Sequence, residues 1–183
     1  MSGAYLFLSA VTMFLLLLTV KLFQIPVLLI QPVSFFWLIA AIFTGIGTLM
    51  LEYYLNMGII YFQTGKIQKG VQLDEAWGRS IKISILVPLF LIVCMEEFIF
   101  RQLWFQILTE RFELGFGAAL LITSLFYSLN HIYFGKLAVF SKFISGIVYG
   151  LSYLLSGGLI VVPIIVHAVH NFGLLFLHSR GRV

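Results

Sequence analysis

Charged residues are scarce in this chain. They make up 10% of its 183 residues, against roughly 25% in ordinary soluble domains. Cysteine occurs once, as Cys94, which excludes an internal disulfide. Aspartate also occurs once, as Asp74 in a polar stretch, which excludes any chemistry that needs two aspartates. There is no internal repeat and no low-complexity tract. Hydrophobic residues, by contrast, reach 61%, and the mean hydropathy is +1.08. A soluble core of this size could not absorb so much apolar surface, so the bilayer must serve as solvent. In lipid every backbone polar group needs an internal partner, which favours helices. The apolar stretches are continuous rather than alternating, which argues against a barrel. The expected fold is all-α, a polytopic transmembrane helix bundle of about six spans, with residues 1–183 forming a single membrane domain. The net charge of +4 is modest, and no nucleic-acid partner is expected; the partner is the membrane lipid bilayer.

A helix needs about 20 apolar residues to cross the hydrocarbon core. Six segments qualify: about 5–22, 35–62, 83–108, 116–134, 137–155 and 160–177. The first lacks a basic leader and a small-residue cleavage site, so a retained span is expected rather than a removed signal peptide. Gln63 to Ser80 is the one sizeable polar loop, and Ser156-Gly157-Gly158 is expected to be a tight turn. Alternate loops gather Lys66, Lys69, Arg79, Lys82, Lys136, Lys142, Arg180 and Arg182 on one side. The positive-inside rule makes that side cytoplasmic, with both termini there.

The third span carries Glu96, Glu97 and Arg101. A charge at a helix centre costs roughly 2.5–3.5 kcal/mol on insertion scales, so such residues face a bundle interior or a wet cavity. Glu97 and Arg101 stand four apart on one helical face and can neutralise one another. Glu96 points about 100° away round the helix and needs a partner from another helix. Candidates are His131 near the end of the fourth span, and His167 with Asn171 on one face of the sixth. His170 beside them reads as a secondary contact. Glu52 in the second span has no visible partner. Together these groups supply a base, imidazoles that orient water, and a neutral donor for an oxyanion. The plainer alternative is an ion-pair knot with interhelical hydrogen bonds. Gly146 and Gly150 show the spacing of a close helix contact.

The run Glu96-Glu97-Phe98-Ile99-Phe100-Arg101 resembles the EExxxR motif of the CAAX-processing and bacteriocin-processing (CPBP, type II CAAX prenyl protease-like) intramembrane protease family. That family's FxxxH motif corresponds to Tyr127-Ser128-Leu129-Asn130-His131, and its HxxxN motif to His167-Ala168-Val169-His170-Asn171. The resemblance covers about residues 83–176, which would form the catalytic core. One departure is Tyr127, where the family usually has Phe; its hydroxyl could join the site.

The resemblance implies an intramembrane endopeptidase acting on a membrane-associated peptide or protein. Glu96 would be general base on a water that His131 helps to hold. His167 and Asn171 would stabilise the oxyanion, with Glu97, Arg101 and Tyr127 as supports. No cofactor is expected. Zinc is conceivable from Glu and His ligands, but HExxH is absent and the donor set is not a specific zinc signature. Alternatives are a non-catalytic immunity or scaffold protein on the same fold, or a transporter, against which stand the small size and lack of repeats. A compact six-span chain resembles the prokaryotic branch, which implies a prokaryotic cell membrane. Counting rises of 1.5 Å per residue puts Glu96, His131 and His167 at different depths. Their convergence therefore calls for helix tilt, a sunken cytoplasmic cavity or shifted helix ends.

Overall fold

The computed structural model describes residues 31–66 and 83–179, together with positions 14 and 18. The described residues contain helices and no strand. Helix α1 is Phe35–Thr64 and α2 is Ile83–Glu97. The chain runs on from α2 in wider π-helical turns over Phe98–Trp104 and Ile107–Arg111. Helix α3 is Phe116–Leu129, α4 is Lys136–Leu155 and α5 is Val161–Ser179. A short 3-10 turn, Ile132–Phe134, links α3 to α4. The expected second to sixth spans coincide with these elements to within a few residues, except that the fourth ends early. The expected first span lies outside the described residues apart from Phe14 and Leu18, which are helical.

Two helices, Phe35–Thr64 and Lys136–Leu155, are long and apolar enough to cross a membrane. Phe116–Leu129 and Val161–Leu177 are apolar but shorter. Large apolar side chains such as Phe36, Phe43, Leu91, Phe116 and Leu155 stand on the outside, while Glu52, Glu96, Glu97 and Arg101 are buried. This is the reverse of a soluble bundle and suits a hydrocarbon surround.

Helix α1 packs along α5, and α3 along α4. Both contacts depend on missing side chains. A Cβ on Gly45 of α1 would lie 2.7 Å from Cβ of Val169 and 2.8 Å from the carbonyl oxygen of Val166, both on α5. A Cβ on Gly146 of α4 would meet Tyr127 at 3.0 Å and the Cα of Ser124 at 3.3 Å, both on α3. Small residues let backbones approach closely where lipid offers no hydrophobic drive. The Ser156-Gly157-Gly158 turn forms as expected, with φ of +73° at Gly157 and +87° at Gly158, a region that glycine enters without steric penalty. Pro163 falls in the first turn of α5, where its missing N–H is not needed.

Candidate active site

Glu96 and Glu97 close the regular part of α2, immediately before the first π-helical turn. Such turns often accompany functional sites because they re-aim side chains and free backbone groups. Glu97 and Arg101 are fully buried and Glu96 is 7% exposed. Glu97 is the hub. Its Oε1 accepts from Nδ1 of His167 on α5 at 2.7 Å, and its Oε2 lies 3.4 Å from Nε of Arg101. The Arg101 contact is an ion pair out of line for a straight hydrogen bond. Arg101 donates from Nη2 to the carbonyl oxygen of Gly146 at 3.0 Å. Its guanidinium sits 5.1 Å from the centre of the Tyr127 ring and 5.9 Å from that of Tyr149. An aromatic enclosure of this kind holds a desolvated cation through the negative ring faces.

His167 is the point where three helices meet. With Nδ1–H committed to the Glu97 carboxylate, Nε2 of the neutral ring is an acceptor. The amide Nδ2 of Asn171 approaches it at 3.0 Å and the hydroxyl of Tyr127 at 3.3 Å. Oε2 of Glu96 stands 3.8 Å from the same nitrogen. The depths that seemed discordant along the chain are therefore reconciled for Glu96 and His167. His131 lies just past the end of α3, not within it. Its Nδ1 is 3.2 Å from the carbonyl oxygen of Tyr127, and its ring leans on the Tyr127 ring at 5.2 Å. Tyr127 thus touches both His131 and His167, and no direct bond joins His131 to Glu96.

The second buried cluster was only half visible in the sequence. Glu52 of α1 is not alone. Its Oε2 lies 3.2 Å from Nζ of Lys142 and accepts from Oγ of Ser145 at 3.1 Å, both on α4. Nε2 of His170 on α5 is 3.1 Å from the same oxygen. One turn along α1, Asn56 accepts from Ser141 at 2.5 Å. The signal that could have found this cluster is the stripe Thr48, Glu52, Asn56, four apart on an otherwise apolar helix. All three are buried.

Among the described residues, no group of three or more His, Cys, Asp or Glu side chains could hold a metal ion.

The sequence model of one family, described as type II CAAX prenyl endopeptidase Rce1-like, matches residues 78–173, which is more than half of the chain. The chain belongs to the Rce1-like family. It is accordingly an integral membrane protein of an endopeptidase family, and the matched region carries Glu96, Glu97, Arg101, Tyr127, His131, His167 and Asn171. No curated protein and no solved structure matches it. The Rce1-like match begins after α1, so Glu52 lies outside it.

Proposed function

We propose that this Rce1-like chain hydrolyses a peptide bond in a membrane-associated protein or peptide, with Glu96 as general base. One observation carries the assignment. Of the three carboxylates buried among the described residues, Glu97 and Glu52 are each engaged by several partners, whereas the Glu96 carboxylate accepts no hydrogen bond from a described residue and faces Nε2 of His167. An uncommitted carboxylate beside an imidazole is free to take a proton from water.

In the proposed reaction, Glu96 removes a proton from a water held with the help of His131. The hydroxide adds to the carbonyl carbon of the scissile bond. The amide of Asn171 donates to the resulting oxyanion, and so does Nε2 of His167, which takes up one proton from solvent as substrate enters and keeps it through the cycle, with Glu97 at Nδ1 holding the counter-charge. The C–N bond then breaks, the proton on Glu96 passes to the leaving amine, and a carboxylic acid and an amine result. Glu97 and Arg101 hold His167 in place. No step passes through a metal. The one-sided distribution of basic loops supports a reading in which both termini are cytoplasmic, and the compact form supports a prokaryotic cell membrane.

The test is a cleavage assay in nanodiscs on peptides ending in a CAAX sequence, prenylated and unprenylated, with wild type beside Glu96→Gln, with and without a chelator. Wild type should cleave, the variant should lose about a hundredfold or more, and the chelator should change neither. Full turnover by a folded Glu96→Gln protein would remove the proposed base. Peptide binding without cleavage by wild type would assign the site to capture rather than catalysis.

A further inference from the structure

The Glu52 cluster lies against the proposed catalytic cluster, and Tyr149 of α4 joins them. The Tyr149 ring stacks on the imidazole of His167, with centroids 4.4 Å apart and planes at 20°. Its hydroxyl is hydrogen-bonded to Nδ1 of His170. The opposite nitrogen of His170, Nε2, faces the Glu52 carboxylate at 3.1 Å, off the axis of a straight hydrogen bond. Tyr149, His167 and His170 are all at most 1% exposed, so water does not compete for these contacts.

The proton positions follow from the partners. A lone pair on Nε2 of His170 would be repelled by a carboxylate oxygen at that distance, so Nε2 carries the hydrogen. Nδ1 is then an acceptor, and the Tyr149 hydroxyl donates to it. Glu52 itself is held by Lys142 and Ser145. We propose that Glu52 is a positioning residue for His167, acting through the tautomer of His170 and the hydroxyl of Tyr149. Take away the carboxylate, and His170 is free to move its hydrogen to Nδ1. Tyr149 then loses its acceptor, and the ring that forms one wall of the His167 slot is released. The reacting groups of the Rce1-like segment are thereby set from a helix outside that segment. The inference rests on the catalytic reading given above.

Two measurements test it, one independent of turnover. The paired variant Glu52→Leu/Lys142→Met removes both charges together, so no lone buried ion remains to unfold the bundle. In histidine-labelled protein in nanodiscs, nitrogen NMR should show His170 leaving the Nε2–H tautomer in this variant, and the His167 resonances should move with it. In the cleavage assay kcat should fall about tenfold with KM within about twofold, because reacting groups are misplaced while binding is kept. Glu52→Gln/Lys142→Met restores an oxygen acceptor and should recover most of kcat. Tyr149→Phe should cost about as much as the Leu/Met pair, and combining the two should add little further loss. An unchanged His167 spectrum in a folded Leu/Met variant overturns the proposal, as do losses that multiply when the variants are combined. If Glu96→Gln proves fully active, the base assignment fails, and the NMR result still decides the link from Glu52 to His167.

Discussion

The two buried ionic clusters use similar groups in different ways. Around Glu97 the charges are close in sequence as well as in space. Acid and base lie one turn apart on the same helix, and only His167 comes from elsewhere. Around Glu52 every partner is remote, with Lys142 and Ser145 on α4 and His170 on α5. The first pair can exist as soon as one helix forms. The second exists only when three helices have docked. A local pair makes a charged helix tolerable to insert, and a remote one reports that the bundle has closed. The difference teaches that burial of charge here serves two stages of assembly, and variants can separate them.

The largest effect is expected at Arg101. Arg101→Leu leaves Glu97 buried without its cation and empties the space between Tyr127 and Tyr149. A loss of roughly 3–5 kcal/mol is expected, read as a large drop in melting temperature or in folded yield in detergent. Next comes a comparison within the remote cluster. Lys142→Met alone should destabilise by about 3 kcal/mol, and adding Glu52→Leu should return most of that. If the double variant is no more stable than the single one, the partners are not paired in the membrane. Gly45→Val tests the docking itself. A branched side chain there meets the α5 backbone, so a loss of about 1–3 kcal/mol is expected, with Glu97 and Arg101 untouched. The smallest effect belongs to Tyr127→Phe, which removes one long hydrogen bond to His167. Melting should shift by little, corresponding to about 1 kcal/mol, and kcat should change by less than about threefold; a larger fall in kcat would place the hydroxyl among the reacting groups.

Much of the bundle was legible in the sequence because lipid imposes a simple rule. Apolar runs of sufficient length become helices, and Gly, Pro and charge mark their ends. That is why the helices from Phe35 onward sit where the hydropathy put them. Glu97 and Arg101 were legible as a pair because both lie on one helix, four residues apart. The grouping of Glu96 with His167 and Asn171 was suggested by their being polar groups in apolar spans and sharpened by motif resemblance, and the separate depths of Glu96 and His167 argued against it until helix packing brought α2 and α5 together. Glu52 was not legible because its partners come from separate helices, and a sequence read one helix at a time shows no contact between them. His170 was underestimated for the same reason. A histidine among apolar residues looks incidental until Tyr149 and Glu52 are placed on either side of it.

The π-helical stretch after Glu97 has a geometric consequence. Each residue of a wider turn advances less round the axis than one of an α-helix. Over Phe98–Trp104 the lag accumulates to roughly a third of a revolution. Everything beyond Trp104, including the segment that leads to Arg111, is therefore clocked differently from the residues before Glu97. Winding the same seven residues as a regular α-helix would swing the distal portion about the axis by that amount. The protein would keep all its ionisable groups and lose their alignment.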